Sequence, residues 1–411
     1  VRRSNLGLVL AHLRDSGPRS RARIAHETGL NKATVSSLVA ELTDRGLVSA
    51  GELHRGGSAG RPGLIVHLDG RAVCGIGVEL NVDYVAVLVL DLGGAVLFER
   101  RVGLDVPALG VERTLDEVAR LVRSAAGAAA ARGAAPAGLT LAVPGLVQSS
   151  AGVVSLAPNL HWADVPVVEG LRRRLDLGCP VRVENDANLS ALAEWSSGSE
   201  ARTADLVYLT GEVGVGGGVI IDGRLLRGAD GLSGEVGHLP LGDPAELCGC
   251  GRRGCWETAV GLAALLRAAA DPGDPVRDPS RDLETRLAEV ADRAEAGDAR
   301  TLAALASVGT ALGVGAAVLI NLVNPRVVVL GGYFAVLGRF LLEPLTRELS
   351  ARVVGPGLAG ARVVTSTLGF TAAVRGGAQL ALDAVFTDPT LVPVAGPPAA
   401  SALAPTPMEM P

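Results

Sequence analysis

The stretch that decides the fold is Gly234-Glu-Val-Gly-His238 followed, ten residues on, by Cys248-Gly-Cys250-Gly-Arg-Arg-Gly-Cys255. Glycines let the backbone fold tightly enough for several sulfurs to meet at one centre. Three thiolates and one imidazole complete a tetrahedral ligand set. His238, Cys248, Cys250 and Cys255 are therefore read as ligands of a structural zinc, with no position open for a catalytic water. Other readings of the same residues are buried thiols or a Cys250–Cys255 disulfide, which leaves Cys248 without a role. Five cysteines are too few for a disulfide scaffold, and their clustering fits a reducing compartment. Cys74 and Cys179 stand alone and read as core residues.

Working outward, residues 72–386 alternate strand and helix patterns. Strands are predicted over 73–78, 85–90, 95–100, 139–143, 181–183, 206–209, 218–221 and 327–330. Helices are predicted over 115–131, 187–195, 262–270, 283–296, 301–324 and 372–385. Such alternation argues for an α/β body with helix-covered sheets. At 411 residues the chain is long enough for two or three domains. Residues 387–411 are rich in Pro and Ala without periodicity and are expected to be a disordered tail. No secretory signal is evident, and apolar runs such as 314–323 are short or interrupted. The expectation is a cytoplasmic protein with no membrane partner.

Charge is uneven. Residues 1–70 carry a formal +4 and the remainder −9, and four of the six histidines lie in the first part. A basic module on an acidic body places nucleic-acid contact at the front end only. That module reads as three helices and a hairpin. Residues 5–14 have apolar residues at helical spacing, Ser20 caps a short helix ending at Gly29, and Asn31 caps a third helix to about Arg45. In the third helix Val35, Leu38, Val39 and Leu42 form one stripe; the opposite face is small and polar. Strands over 47–53 and 64–68 flank a Gly-rich basic loop. The layout is a winged helix-turn-helix, whose third helix enters the major groove. Lys32, Thr34, Ser36 and Ser37 are the contact candidates on that helix, and His54, Arg55 and Arg61 those in the wing.

The segment from Glu235 to His238, the Cys248/Cys250/Cys255 cluster and Glu184-Asn185-Asp186-Ala-Asn188 resemble the ROK family of repressors and sugar kinases. Further matches are Ala157-Pro-Asn159-Leu, Val323-Asn-Pro-Arg-Val-Val-Val-Leu-Gly-Gly332 and the Pro144-Gly145 turn. The resemblance covers residues 72–386, and the front module is similar to that of the family's regulators. It implies a two-lobed actin-like ATPase (ribonuclease H-like) fold behind the winged helix: residues 1–70, then 71–386. It also implies a hexose-type ligand held by Asn159, Asn185, Asp186, Glu235, His238 and Glu257. Carboxylates and amides around a small cavity can satisfy a polyol's donors and acceptors. One ring nitrogen of His238 would serve zinc and the other the sugar. Operator DNA, a sugar or sugar-phosphate effector and a homodimer or pair of dimers are the implied partners.

In the family's kinases Asp186 would match the general base, and phosphoryl transfer would also need phosphate cradles. The first, Asp-x-Gly-Gly-Thr in the kinases, corresponds to Glu79-Leu80-Asn81-Val82-Asp83. The second, Gly-Thr-Gly-x-Gly-Gly-Gly, corresponds to Glu212-Val213-Gly214-Val215-Gly216-Gly217-Gly218. Lost glycines keep the backbone from approaching phosphates, and the new carboxylates repel them. The reading is a sugar-responsive transcriptional regulator of repressor type that has lost kinase activity, with no catalytic residue. The alternative is an ATP-dependent sugar kinase carrying a DNA-binding domain.

Overall fold

Asn31 begins the third helix by a side-chain cap: its Oδ1 accepts the Thr34 N–H at 2.8 Å and Lys32–Asp44 follows. Ser20 caps Arg21–Thr28 in the same way, and Gly29, at φ 73°, ends it. Val35, Leu38, Val39 and Leu42 are buried, as are Leu6, Leu10 and Leu13 of the first helix, Arg2–Ser16, and Ile24 of the second. Val48–Leu53 and Leu64–Leu68 pair antiparallel, and Arg19–Ser20 adds a short third strand. The winged helix-turn-helix is thus formed. The computed structural model describes residues 1–53, 64–198, 200–355 and 361–394; His54, Arg55 and Arg61 lie outside them.

The chain divides into two compact units, one of Val1–Val73 with Asp383–Pro411, the other of Cys74–Leu382. The expected boundaries at 70 and 386 therefore shift, most at the C-terminal side. The closing helix Ala372–Thr387 enters the winged-helix unit from Asp383 onward. There Gly7 approaches the carbonyls of Phe386 and Thr387 so closely that a Cβ would stand 2.8 Å from one. Arg14 lies 4.6 Å over the Phe386 ring, Arg3 pairs with Asp388 at 3.2 Å, and Arg45 donates to the Val392 carbonyl. The first part of the expected tail, 387–394, is therefore ordered; 395–411 lie outside the described residues. These contacts join residues far apart in sequence, which local periodicity does not report.

The larger unit has two sheets. The first runs, in spatial order, Val181–Asn185, Ala135–Val143, Val73–Leu80, Tyr84–Asp91 and Val96–Gly103. The second runs Arg224–Leu225, Val215–Ile221, Leu206–Gly211, Val327–Gly332 and Arg362–Thr365. Parallel and antiparallel pairings are mixed in both. Each sheet has its own aliphatic core, as an actin-like fold of two lobes requires. The helix Ala299–Val323 is long and apolar enough to cross a membrane by composition, but 61% of its apolar window is buried. It packs along Gly338–Arg352 as a core helix. A three-stranded antiparallel sheet over Leu146–Gln148, Val153–Ala157 and Trp162–Val165, and the helix Gly338–Arg352 with Pro344 inside it, were not expected. The sheet's strands are too short for periodicity, and proline reads locally as a break.

Helix Asp186–Ser197 lies against strand Val215–Ile221. A Cβ at Gly216 would meet the Ala187 methyl at 2.8 Å, and one at Gly218 the Ala191 methyl at 2.6 Å. These glycines, in the stretch that corresponds to a kinase phosphate cradle, thus admit a helix. Gly218→Val should lower the stability of this unit by about 3 kcal/mol through overpacking, read as a lower urea midpoint. An unchanged midpoint would contradict the close approach.

Candidate functional site

The strand Val181–Asn185 ends where the helix Asp186–Ser197 begins, and this junction places the central residues. Asn185 is the cap: its Oδ1 accepts the Asn188 N–H at 3.0 Å, while its Nδ2 donates to the Gly145 carbonyl at 3.1 Å. Gly145 sits at φ 110°, and a Cβ there would lie 2.4 Å from the Leu156 carbonyl. The Pro144-Gly145 turn therefore seats the short turn Pro158–Leu160, which carries Asn159. Asp186 projects from the helix start, its Oδ1 accepting the Ala187 N–H at 2.8 Å.

A cleft between the lobes is lined by residues of both. Asn159, Asn185, Asp186, Glu235, His238 and Glu257 all line it, so the six implied sugar ligands converge on one place. Their freedom differs. Glu257 Oε2 accepts the Val215 N–H at 3.0 Å and Oε1 the Cys248 thiol at 3.3 Å. Asn185 retains one amide proton beyond its two bonds. Glu235 Oε2 is 3.8 Å from His238 Nε2, and burial pushes its carboxyl up to about 7. Burial also raises Asp186.

In the stretches that correspond to the kinases' phosphate cradles, Asn81 and Glu212 line the cleft. Asn81 Nδ2 donates to Glu212 Oε2 at 2.7 Å and to the Tyr84 hydroxyl at 3.1 Å. Tyr84 in turn donates to Glu79 Oε1 at 2.5 Å. Glu79 is only 2% exposed, and its Oε2 has no partner. Burial raises Glu212 well above the carboxylate range, with the charges of Glu79 and Asp186 adding to it. Burial pushes Glu79 up to about 7. Asp83 departs from the expectation that it stands in the cleft. It is exposed and absent from the lining, because the chain turns outward between Leu80 and Tyr84.

His238, Cys248, Cys250 and Cys255 offer ligand atoms all within 4.8 Å of one another. Sulfurs on a tetrahedron of about 2.3 Å radius stand about 3.8 Å apart. Cys250 and Cys255 Sγ are 3.7 Å apart, and Cys248 Sγ is 3.8 Å from His238 Nδ1. The sulfur separation excludes a disulfide in this arrangement. The donor set and spacing fit a tetrahedral metal ion. Nδ1 faces the sulfurs, leaving Nε2 on the side of Glu235.

On the winged helix Lys32, Ser36 and Ser37 are exposed and Thr34 is half-buried. The Ser37 hydroxyl already accepts Arg2 Nη2 at 3.2 Å, and Arg2 also pairs with Glu41 at 2.6 Å. Glu41, the acid nearest this face, is held below its usual range by the guanidiniums of Arg45 and Arg2. One arrangement escaped sequence reasoning. Arg227, on the loop leading to Glu235, donates to Glu184 at 2.9 and 3.2 Å. Glu184 is 2% exposed and also accepts the Asn188 amide at 3.2 Å. No local pattern links residues 43 positions apart.

A winged helix and a two-lobed sugar-kinase-like body with a ligand cleft define the class as a ligand-regulated DNA-binding protein. The chain belongs to the ROK family, whose model matches residues 75–384; the MarR family model matches residues 7–56. The chain is similar to the xylose repressor of Caldicellulosiruptor bescii, 32% identical over 358 residues, covering 86% of this chain and 88% of that one. Among solved structures it is similar to a ROK family transcriptional regulator described as a homologue of the E. coli MLC protein. That match has TM-score 0.74 and 25% identity and covers 94% of this chain and 97% of the other. It is also similar to a ROK glucokinase from Streptomyces griseus in complex with glucose and AMPPNP. There the TM-score is 0.63 at 27% identity, covering 75% of this chain and 99% of the kinase.

Glu79 gives a pH test. The unfolded chain ionises this carboxyl near 4.5, whereas the folded chain keeps the proton to about 7. The folded state then binds more protons across that window, so stability falls as pH rises through it. Glu79→Gln keeps an acceptor for Tyr84 and removes the charge. Its melting temperature should exceed that of the unmodified protein at pH 8 and match it at pH 5. An equal effect at both pH values would contradict the shift.

Proposed function

We propose that this chain is a sugar-responsive transcriptional repressor of carbohydrate metabolism that does not phosphorylate its ligand. The observation that carries the reading is the wall made by Asn81 and Glu212 in a cleft otherwise furnished for a polyol. Phosphoryl transfer is largely positioning and charge stabilisation of the transferred group. A half-buried carboxyl group, hydrogen-bonded in place where a kinase would hold phosphate, fills that position and offers the phosphate no positive charge. The names of the similar repressors support the regulatory reading.

Asn159, Asp186, Glu235, His238 and Glu257 bind the sugar hydroxyls, and Asn185 chiefly positions Asp186. Zinc is the metal that suits His238, Cys248, Cys250 and Cys255, and all four positions of its tetrahedron are then filled. Bound, it supplies structural cross-linking. His238 is oriented so that Nε2 serves the ligand, and Glu257 is held beside Cys248. Lys32, Thr34 and Ser36 read the operator, with Ser37 drawn towards Arg2; His54, Arg55 and Arg61 of the wing add backbone contacts. The protein acts in the cytoplasm as a homodimer on a two-fold operator. Sugar changes DNA affinity by binding one conformation better than the other.

A coupled ATPase assay with a panel of hexoses and pentoses tests the central point. No sugar-dependent turnover is expected; turnover at the usual enzyme rates of about 1–100 per second would establish a kinase instead. Lys32→Ala with Thr34→Ala should abolish the mobility shift on operator DNA while the sugar-binding body melts unchanged. An intact shift would remove the recognition-helix assignment. Elemental analysis should find a single zinc per chain. Cys250→Ser should lose it, with a weaker sugar response and a less stable body. A metal-free protein that still responds to sugar would contradict the zinc role.

A further inference from the structure

We infer, resting on the sugar-sensing reading above, that Arg227 is a positioning residue of the ligand site and acts through the buried carboxylate of Glu184. The two residues come from opposite lobes. Glu184 lies on Val181–Asn185, the edge strand of the first sheet, and Arg227 follows Arg224–Leu225, the edge strand of the second. Nε and Nη2 of Arg227 donate to Glu184 Oε2 at 3.2 and 2.9 Å. The Arg227 backbone is itself fixed. Its carbonyl accepts the Ser233 N–H at 3.1 Å, and the neighbouring Leu226 N–H bonds the Val219 carbonyl at 2.8 Å. The guanidinium is thus presented from an anchored point of the loop.

Glu184 organises the start of the helix Asp186–Ser197. Its Oε1 accepts the Asn185 N–H at 3.1 Å and the Asn188 side-chain amide at 3.2 Å. Asn185 caps that helix and holds the Gly145 carbonyl. The carboxylate therefore stands behind the junction that sets Asp186 in the cleft. Asn188, 1% exposed, reaches the segment that carries Glu235: a Cβ on Gly234 would lie 3.9 Å from its Oδ1. Glu184, Asn188 and Arg227 do not line the cleft themselves, so they act on a ligand only through these neighbours.

A carboxylate only 2% exposed is costly unless it is paired and hydrogen-bonded. Arg227 supplies the countercharge. Without it Glu184 is relieved by turning away from Asn185 and Asn188. The cap then loosens, and the fraction of molecules holding Asp186 in a competent geometry falls. Apparent affinity falls by the same factor. The demand comes from the buried partner, because the Arg227 side chain is 44% exposed and water can solvate it. Glu184→Gln removes that demand and keeps an acceptor for Asn185 and Asn188.

Isothermal titration calorimetry on the full-length protein, well below its melting temperature, tests this with D-xylose, D-glucose and N-acetyl-D-glucosamine. For a sugar that binds, Arg227→Ala should weaken affinity about tenfold. Arg227→Lys, which restores a cation, should recover most of it. In a Glu184→Gln background the further change Arg227→Ala should cost less than about twofold, since residues acting as one unit are not additive. If Arg227→Ala does not fold, Arg227→Gln takes its place in both backgrounds. A lower melting temperature with unchanged sugar affinity, or an equal loss of affinity in both backgrounds, overturns the inference and leaves sugar sensing standing. Binding of none of the sugars by the unmodified protein overturns the sugar-sensing reading instead. Arg227 is then judged by amide hydrogen exchange at Asn185 and Asn188, which Arg227→Ala should quicken about tenfold; unchanged exchange overturns the inference as well.

Discussion

The close approach of helix Asp186–Ser197 to strand Val215–Ile221 is the constraint on which the site depends. Ala187 and Ala191 on the helix meet Gly216 and Gly218 on the strand, and neither glycine has room for a methyl group. The contact fixes the helix start, hence Asp186, opposite the strand that carries Val215 and its partner Glu257. The Asn185 cap then ties the same point to Gly145 and the turn bearing Asn159. One packing contact and one capped helix thereby set the positions of side chains drawn from five separate stretches of sequence.

The same arrangement separates packing from chemistry in the stretches that correspond to the kinases' phosphate cradles. Glycines 216 and 218 remain necessary for packing, so their presence says little about nucleotide. The informative changes are those with no packing role to fill, Glu212 and Asn81, which bond to one another at the cleft wall. Glu79 stands behind them with an unpartnered oxygen, an arrangement that is costly to bury.

Much of this was legible in the sequence because the signals are local. Asn31 and Ser20 cap the helices they were expected to cap, and the stripe of Val35, Leu38, Val39 and Leu42 is buried. The Cys/His spacing foretold a cluster that the fold brings within 4.8 Å. The readings that shifted depend on distant partners. Asp83 was placed in the cleft by correspondence with a motif, but the turn after Leu80 exposes it. Residues 387–394 lack periodicity, yet Arg3, Arg14 and Arg45 hold this end of the chain in the winged-helix unit. Arg227 reaches Glu184 only once the lobes are folded.

On the function proposed above, the basic winged helix attracts DNA phosphates and the cleft of the body binds sugar hydroxyls. Regulation requires that these two be energetically coupled. The direct measurement is a mobility shift with the unmodified protein on the DNA upstream of its own operon, titrated with free sugars. The account predicts a specific shift whose midpoint moves about tenfold or more with one sugar, a coupling of the usual size for allosteric proteins. A specific shift that no sugar moves, although a sugar binds, would contradict it.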